Sequence, residues 1–129
     1  MAGKQVVDPG WAYGRRNGYS QAIREGHLVF LSGQMPLDPE GNVVAEGDIV
    51  GQARQVFENM KSVLAVAGLT LDDLVEIVSY HTDIADLRAV VRVKSEYIRS
   101  DFPAWTAVGV TALGFPGQRL EIKAVALAR

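Results

Sequence analysis

The sequence contains no cysteine and only two histidines, His27 and His81, among its 129 residues. Without cysteine the chain can form no disulfide, no thiolate nucleophile and no thiolate metal site. The two histidines lie far apart in the sequence, and neither belongs to an HxxH or HExxH spacing. Since such spacings are typical of histidine-ligated metals, we expect no metal site.

The sequence also lacks an excess of charge of one sign and any long apolar run. Its 13 Lys and Arg residues are balanced by 15 Asp and Glu residues, so it has no basic surplus for binding nucleic acid or an anionic membrane. No apolar run approaches the roughly 20 residues of a membrane-spanning helix. The beginning, MAGKQVVDPG, has neither the basic region nor the apolar core of a signal peptide. We expect a soluble cytoplasmic protein that binds no membrane and has no nucleic acid as its main partner.

The length and composition fit a single domain spanning residues 1–129, because 48% of the residues are hydrophobic and no segment resembles a linker or a repeat. Hydrophobic periodicity and turn residues predict the element order ββαβαββ. The predicted elements are a hairpin over 19–34, a helix over 48–67, a strand over 75–82, a helix over 86–100, and a second hairpin of strands over 105–113 and 119–127. Helices that interrupt pairs of strands indicate an α+β domain, with one mixed sheet and both helices on one face.

The opposite face of that sheet is left without helices, and we call it the helix-free face. On the last strand, period-2 alternation directs four residues toward the helices: Leu120, Ile122, Ala124 and Ala126. It directs the other four to the helix-free face: Arg119, Glu121, Lys123 and Val125. On the preceding strand, alternation assigns Val108 and Val110 to the core and predicts that Trp105, Ala107 and Gly109 point from the helix-free face. A face with a large aromatic and ionic groups favours a subunit interface that contains a pocket.

Five stretches of the sequence resemble the Rid/YjgF family of reactive-intermediate deaminases, and together they cover nearly all of the chain. They are GYSQAI at 18–23, FLSGQMPLDPEG at 30–41, QARQVFENMKSVLAVAGLTLDDLV at 52–75, FPAW at 102–105 and LEIKAVA at 120–126. The resemblance implies a chorismate-mutase-like ββαβαββ domain that forms a homotrimer. It also implies small-molecule clefts between neighbouring subunits.

The activity implied by this resemblance is hydrolysis of imines and enamines, such as 2-iminobutanoate, to a keto acid and ammonia without a metal or a cofactor. Similar proteins clamp the substrate carboxylate with an arginine that follows a Pro-Ala pair. Here the pair is Pro103 and Ala104, and Trp105 follows it. Tryptophan offers one N–H donor and an apolar ring, so it cannot replace a bidentate cation. An asparagine of the family's second helix is also replaced, by Val91.

Other positions match the family's cleft. The resemblance gives Glu121 the role of the carboxylate that activates the attacking water. It assigns Tyr19, Ser32 and Gly33 to the lining of the substrate cleft. The three residues Trp105, Thr106 and Ala107 complete the predicted substrate-binding set. The implied substrate is a reactive imine or enamine other than the usual 2-imino acid.

Each of these residues also has a simpler interpretation. Glu121 could pair with Arg119 or Lys123 on its own strand, and Trp105 could serve interface packing alone. His81 has no partner in the sequence and is typical of a structural histidine. The missing clamp could be replaced by another cation, for which Arg15, Arg16 and Arg119 are the candidates.

Two functions therefore stay open. The first is a cofactor-independent Rid-type hydrolase that uses Glu121. The second is a non-catalytic, ligand-binding or regulatory trimer on the same scaffold, because a fold alone does not determine its chemistry. Ribonuclease activity has also been attributed to similar proteins, but the net charge of -2 and the absence of a basic stripe argue against it here.

Overall fold

Two long helices cover one face of a six-stranded mixed sheet in the computed structural model, which describes residues 3–129. The strands are β1 (Gln5–Val7), β2 (Ala22–Glu25), β3 (Leu28–Gln34), β4 (Leu74–His81), β5 (Ala104–Gly109) and β6 (Leu120–Leu127). The helices are the short α1 (Ala12–Arg16) and the longer α2 (Ile49–Val66) and α3 (Leu87–Tyr97). The predicted α+β class is confirmed, whereas β1 and α1 had no counterpart in the predicted element order.

Local signals in the sequence set the ends of the central elements. The Asp48 side chain accepts a hydrogen bond from the Gly51 amide and begins α2, which ends before Gly68 with its φ of 76°. A capping box lies just before β4, where the Thr70 amide donates to Asp73 over 2.9 Å. The core forms where α2 and α3 pack on the sheet, around Phe57 and the other buried apolar side chains. None of the helices described within residues 3–129 has the length and apolar character of a membrane-spanning helix.

The strand order β1-β2-β3-β6-β4-β5 corrects one prediction. The last two strands do not form a hairpin, because β6 lies between β3 and β4 and pairs antiparallel with both. β5 instead pairs parallel with β4 at the edge of the sheet. Parallel neighbours need a crossover, and α3 supplies it. The predicted strand over 105–113 also ends early, at Gly109.

The parallel pairing also corrects the predicted orientation of Trp105. Trp105 lies beside Ile77, which is 1% exposed in the core, and its ring packs against that core. Trp105 and Ala107 therefore face the helices, while Thr106 and Val108 face the other way. The prediction failed because it took the direction of β5 from a hairpin with β6.

The alternation predicted for β6 is confirmed, since Leu120, Ile122, Ala124 and Ala126 are all buried. The helix-free face nevertheless carries large apolar side chains. Phe30 pairs with Val125 across β3 and β6 and is 44% exposed, and Val108 of β5 is 36% exposed. A sheet face that exposes several large apolar side chains is typical of a surface that meets another protein chain.

Candidate functional site

Glu121 lies half-buried on β6, where alternation turns it to the helix-free face. Its Oε1 accepts a hydrogen bond of 3.2 Å from Nε2 of Gln118, a side chain that is itself only 4% exposed. The ion pair considered for Glu121 is absent from the described residues, where no cation lies within 4.0 Å of its carboxylate. A carboxylate that is oriented by a buried amide but not neutralised by a cation remains available as a proton acceptor.

Gly33 makes room for this carboxylate. The pairing of β3 with β6 shifts register between Leu31 and Gln34, so Gly33 lies in an irregular stretch of the strand. A Cβ atom at position 33 would lie 2.7 Å from Cδ of Glu121, closer than carbon atoms approach without displacement. Glycine in a strand often marks such a close approach. The Glu121 side chain therefore occupies the space that a larger residue 33 would fill.

Tyr19 and Ser32 lie beside this pair. The Ser32 hydroxyl donates to the Ser20 carbonyl over 2.6 Å, which leaves its lone pairs free to accept. The Tyr19 hydroxyl is buried and has no hydrogen-bond partner among residues 3–129. Burial raises the pKa of Tyr19; the neighbouring Gln21 side chain lowers it and the Glu121 charge raises it, with a net rise, so the phenol keeps its proton. We call Tyr19, Ser32, Gly33 and Glu121 the Glu121 cluster.

An open pocket of about 460 Å³ adjoins the Glu121 cluster. Its lining residues are Lys4, Arg15, Gly18, Tyr19, Ser20, Ile23 and Ser32. Of the three arginines considered as a replacement clamp, only Arg15 lines this pocket. Arg119 is instead bound to Asp86 through hydrogen bonds of 2.6 and 3.0 Å, and Arg16 donates to the Glu40 carbonyl.

Trp105, Thr106 and Ala107 lie elsewhere, on the edge strand β5. Strand β4 separates them from β6, and Trp105 and Ala107 point from the opposite face of the sheet to Glu121. Thr106 shares the helix-free face but remains two strands away. A single chain therefore brings together the Glu121 cluster but does not add the β5 residues to it.

The Trp105 indole is held by a chain of buried hydrogen bonds. Its Nε1 donates to the Ser79 hydroxyl over 2.8 Å, and Ser79 lies 2.8 Å from Nε2 of His81. Because an indole N–H can only donate, Ser79 accepts from Trp105, while the donor between Ser79 and His81 depends on the tautomer of His81. Burial lowers the pKa of His81, so the ring is neutral near pH 7.

Lys94 of α3 completes this second region and was missed by the sequence analysis. It is only 8% exposed, and its Nζ lies 5.2 Å from the ring centroid of Trp105 and 4.9 Å from that of Phe102. Burial lowers the pKa of Lys94. Val91, which stands where the family has an asparagine, is 41% exposed, whereas Lys94 on the same helix is buried. The helical spacing of Lys94 from Val90 could have revealed it.

No group of three or more His, Asp or Glu side chains within residues 3–129 could hold a metal ion. The site consists of one free carboxylate, hydroxyl groups and aromatic rings. Such a set can bind a small polar molecule and move protons.

Comparison with known proteins gives consistent matches over almost the whole chain. A family model described as Endoribonuclease L-PSP matches residues 12–128. The RutC family protein PH0854 of Pyrococcus horikoshii is 40% identical over 84% of this chain and 85% of its own length. The human 2-iminobutanoate/2-iminopropanoate deaminase is 33% identical over 96% of this chain and 90% of its own. A crystal structure of the Rid-family protein YyfA from Yersinia pestis superposes with a TM-score of 0.90 at 34% identity, covering 98% of this chain and 100% of that one.

Proposed function

The chain belongs to the Rid/YjgF family, and we propose that it hydrolyses a small reactive imine or enamine to a carbonyl compound and ammonia. Deaminase-type hydrolysis is supported in general by the similarity to the human deaminase. The observation that carries the proposal is the Glu121 carboxylate, which is oriented by Gln118 and free of any ion pair in the described chain, in a cluster whose Tyr19 and Ser32 line an open pocket.

The proposed reaction needs only proton transfers and one water molecule. Glu121 accepts a proton from water while the water oxygen forms a bond to the carbon of the protonated imine. The proton then passes from Glu121 to the nitrogen of the resulting carbinolamine. The carbon–nitrogen bond breaks and ammonia leaves, while the carbinolamine hydroxyl gives its proton to the Glu121 carboxylate and the C=O bond forms. Glu121 then releases this proton to solvent, so the protonated imine and water become a carbonyl compound, ammonia and a proton. An enamine first takes a proton on its carbon to become the imine.

The hydroxyl groups of the Glu121 cluster have distinct positions in this scheme. The Tyr19 side chain lines the open pocket, whereas its hydroxyl is buried within the chain and does not reach the pocket. The Ser32 oxygen already donates to Ser20, so it accepts from the substrate N–H. Holding the reactants in this way lowers the entropic cost of the reaction.

We propose that the complete site forms between two copies of the chain in a homotrimer. Within one chain Glu121 and Trp105 lie on opposite faces of the sheet, so only another copy can bring them together. The exposed apolar residues of the helix-free face, such as Phe30 and Val108, support an interface there. The small molecule then binds in the cleft between subunits. Thr106 and Ala107, which belong to the edge strand β5, line one side of this cleft.

Trp105 makes the substrate differ from the usual small 2-imino acid. Its only hydrogen-bond donor is already bound to Ser79, so toward a ligand it presents the indole ring alone. An indole ring favours a flat or apolar group rather than a bare carboxylate. We therefore propose a substrate in which the reactive C=N group is attached to such a group.

The test is ammonia release from imines generated in the assay by an amino-acid oxidase, one from 2-aminobutanoate and one from phenylalanine. We expect turnover by the native protein and a loss of at least roughly 100-fold in Glu121→Gln. Glu76→Gln is the matched control, because Glu76 is an exposed acid on β4. Full activity in Glu121→Gln would contradict the proposal. No turnover by the native protein would favour the non-catalytic alternative.

A further inference from the structure

Lys94 is a buried cation without an anionic partner. It is 8% exposed, yet no carboxylate of residues 3–129 lies within 4.0 Å of its Nζ. Two other cations are ion-paired: Arg119 with Asp86 at 2.6 Å and Arg54 with Glu96 at 2.9 Å. Lys94 has aromatic rings beside its ammonium group in place of a carboxylate, and such cation–π contacts stabilise the charge.

The surroundings of Lys94 have a defined shape. Its Nζ lies 4.9 Å from the ring centroid of Phe102 and 5.2 Å from that of Trp105, so two aromatic rings flank one ammonium group. Trp105 cannot turn freely, since its N–H is bound to the buried Ser79. Phe102, in contrast, is 64% exposed, which leaves this part of the molecule accessible from solvent. The result is an accessible, partly rigid pair of rings with a positive charge between them.

We infer that Lys94, Phe102 and Trp105 form a subsite for a carboxylate that is attached to an aromatic or other flat apolar group. The ammonium would bind the carboxylate, and the rings would pack against the flat group. The inference rests on the proposed function and narrows its substrate class to imines of aromatic or large apolar 2-amino acids. The cation comes from α3 rather than from β5, where Trp105 stands.

Two further facts support this assignment. Burial lowers the pKa of Lys94, and a bound carboxylate would offset the cost of keeping the amine charged. Lys94 also differs from the other lysine that lies over a ring. Lys61 lies 5.9 Å from the Tyr97 centroid, but its side chain is 54% exposed and has Glu58 3.8 Å away. The simpler interpretation is that the Lys94 stem covers the core while its amine reaches solvent. In that case the amine would have no preferred anion.

The test measures binding to the assembled protein, so it does not depend on turnover. The probe is phenylpyruvate, and its neutral counterpart is phenylacetone, in which a methyl group replaces the carboxylate. We expect Lys94→Met to weaken phenylpyruvate binding at least tenfold and to leave phenylacetone binding within about twofold, as one lost ionic hydrogen bond implies. Lys61→Met is the matched control and should bind both as the native protein does.

Each other outcome overturns the subsite. Unchanged phenylpyruvate binding by Lys94→Met would show that the amine has no ligand. Loss in Arg15→Gln but not in Lys94→Met would place the anion in the pocket beside Tyr19 instead. Equal weakening by Lys61→Met would show that only net charge matters, and no saturable binding by the native protein would also contradict the subsite. Failure of the proposed hydrolysis is recognised separately, as binding without ammonia release.

Discussion

At the scale of single residues, the chemistry of this molecule depends on the surroundings of the Glu121 carboxylate. The carboxylate owes its orientation to Gln118 and its space to Gly33. Neither neighbour carries a charge, so Glu121 can change its protonation state without breaking an ion pair. A reacting carboxylate needs this freedom, which a structural salt bridge would remove.

Gly33 allows a direct test of that arrangement. In Gly33→Ala the new Cβ would lie 2.7 Å from Cδ of Glu121, and the flexible carboxylate must move away. Because a side-chain end moves rather than the backbone, we expect normal folding but a kcat/KM lowered at least roughly tenfold. Gly109→Ala is the control, since its Cβ would meet only Ile84 at an ordinary 3.8 Å. The measurement is steady-state ammonia release, and equal rates for both variants would contradict the account.

How far the site could be predicted also depends on the residue. Glu121, Tyr19, Ser32 and Gly33 stand in motifs that the chain shares with the Rid/YjgF family, so these four could be named from the sequence. Ser79 and Lys94 carry no such motif. Their importance comes from contacts with Trp105 that depend on how β4, β5 and α3 are placed.

At the scale of elements, local patterns predicted what lies along the chain but not what pairs across it. Helix α2 and the capping box before β4 follow from residues near one another in sequence. The neighbours of β5 do not, because a parallel partner is reached only through α3. The same error in strand pairing led to the prediction of the wrong face for Trp105, since the partner strand decides which face of a strand meets the helices.

Strand β4 places a neutral histidine, His81, in the core between the sheet and the helices. His81 is fully buried, and burial lowers its pKa below the usual 6.5. Below pH 6.5 the unfolded chain therefore binds a proton that the folded chain does not, and the free energy of unfolding must fall as the pH falls. The loss is at most about 1.4 kcal/mol per pH unit from this one group.

The measurement is the free energy of unfolding from urea titrations between pH 5 and pH 7. We expect His81→Gln to lose less stability with falling pH than the native protein, whatever its absolute stability. The pKa values of Asp38 and Glu96 are lowered below 3.8 and 4.5, so these two groups change the free energy of unfolding mainly at lower pH. The same slope in His81→Gln and in the native protein would contradict this role for His81.

At the scale of the whole molecule, the chain looks incomplete as a single copy. The Glu121 cluster lies on the helix-free face, whereas Trp105 on the edge strand β5 faces the helices. Large apolar residues such as Phe30 are exposed to solvent. A closed ring of copies would cover the apolar face and place two different regions against each other at every interface. We propose that the working site is shared between copies in this way.

Mixing two slow variants of the protein tests whether the site is shared between copies. Glu121→Gln lacks the proton acceptor, and Lys94→Met lacks the inferred anion contact, so at low substrate concentration each alone should be slow. If each site takes these residues from different copies, random mixed assemblies should regain about a quarter of the native rate of ammonia release, because each intact site draws independently on two copies. A mixture no faster than the mean of its two components would contradict a site shared between copies.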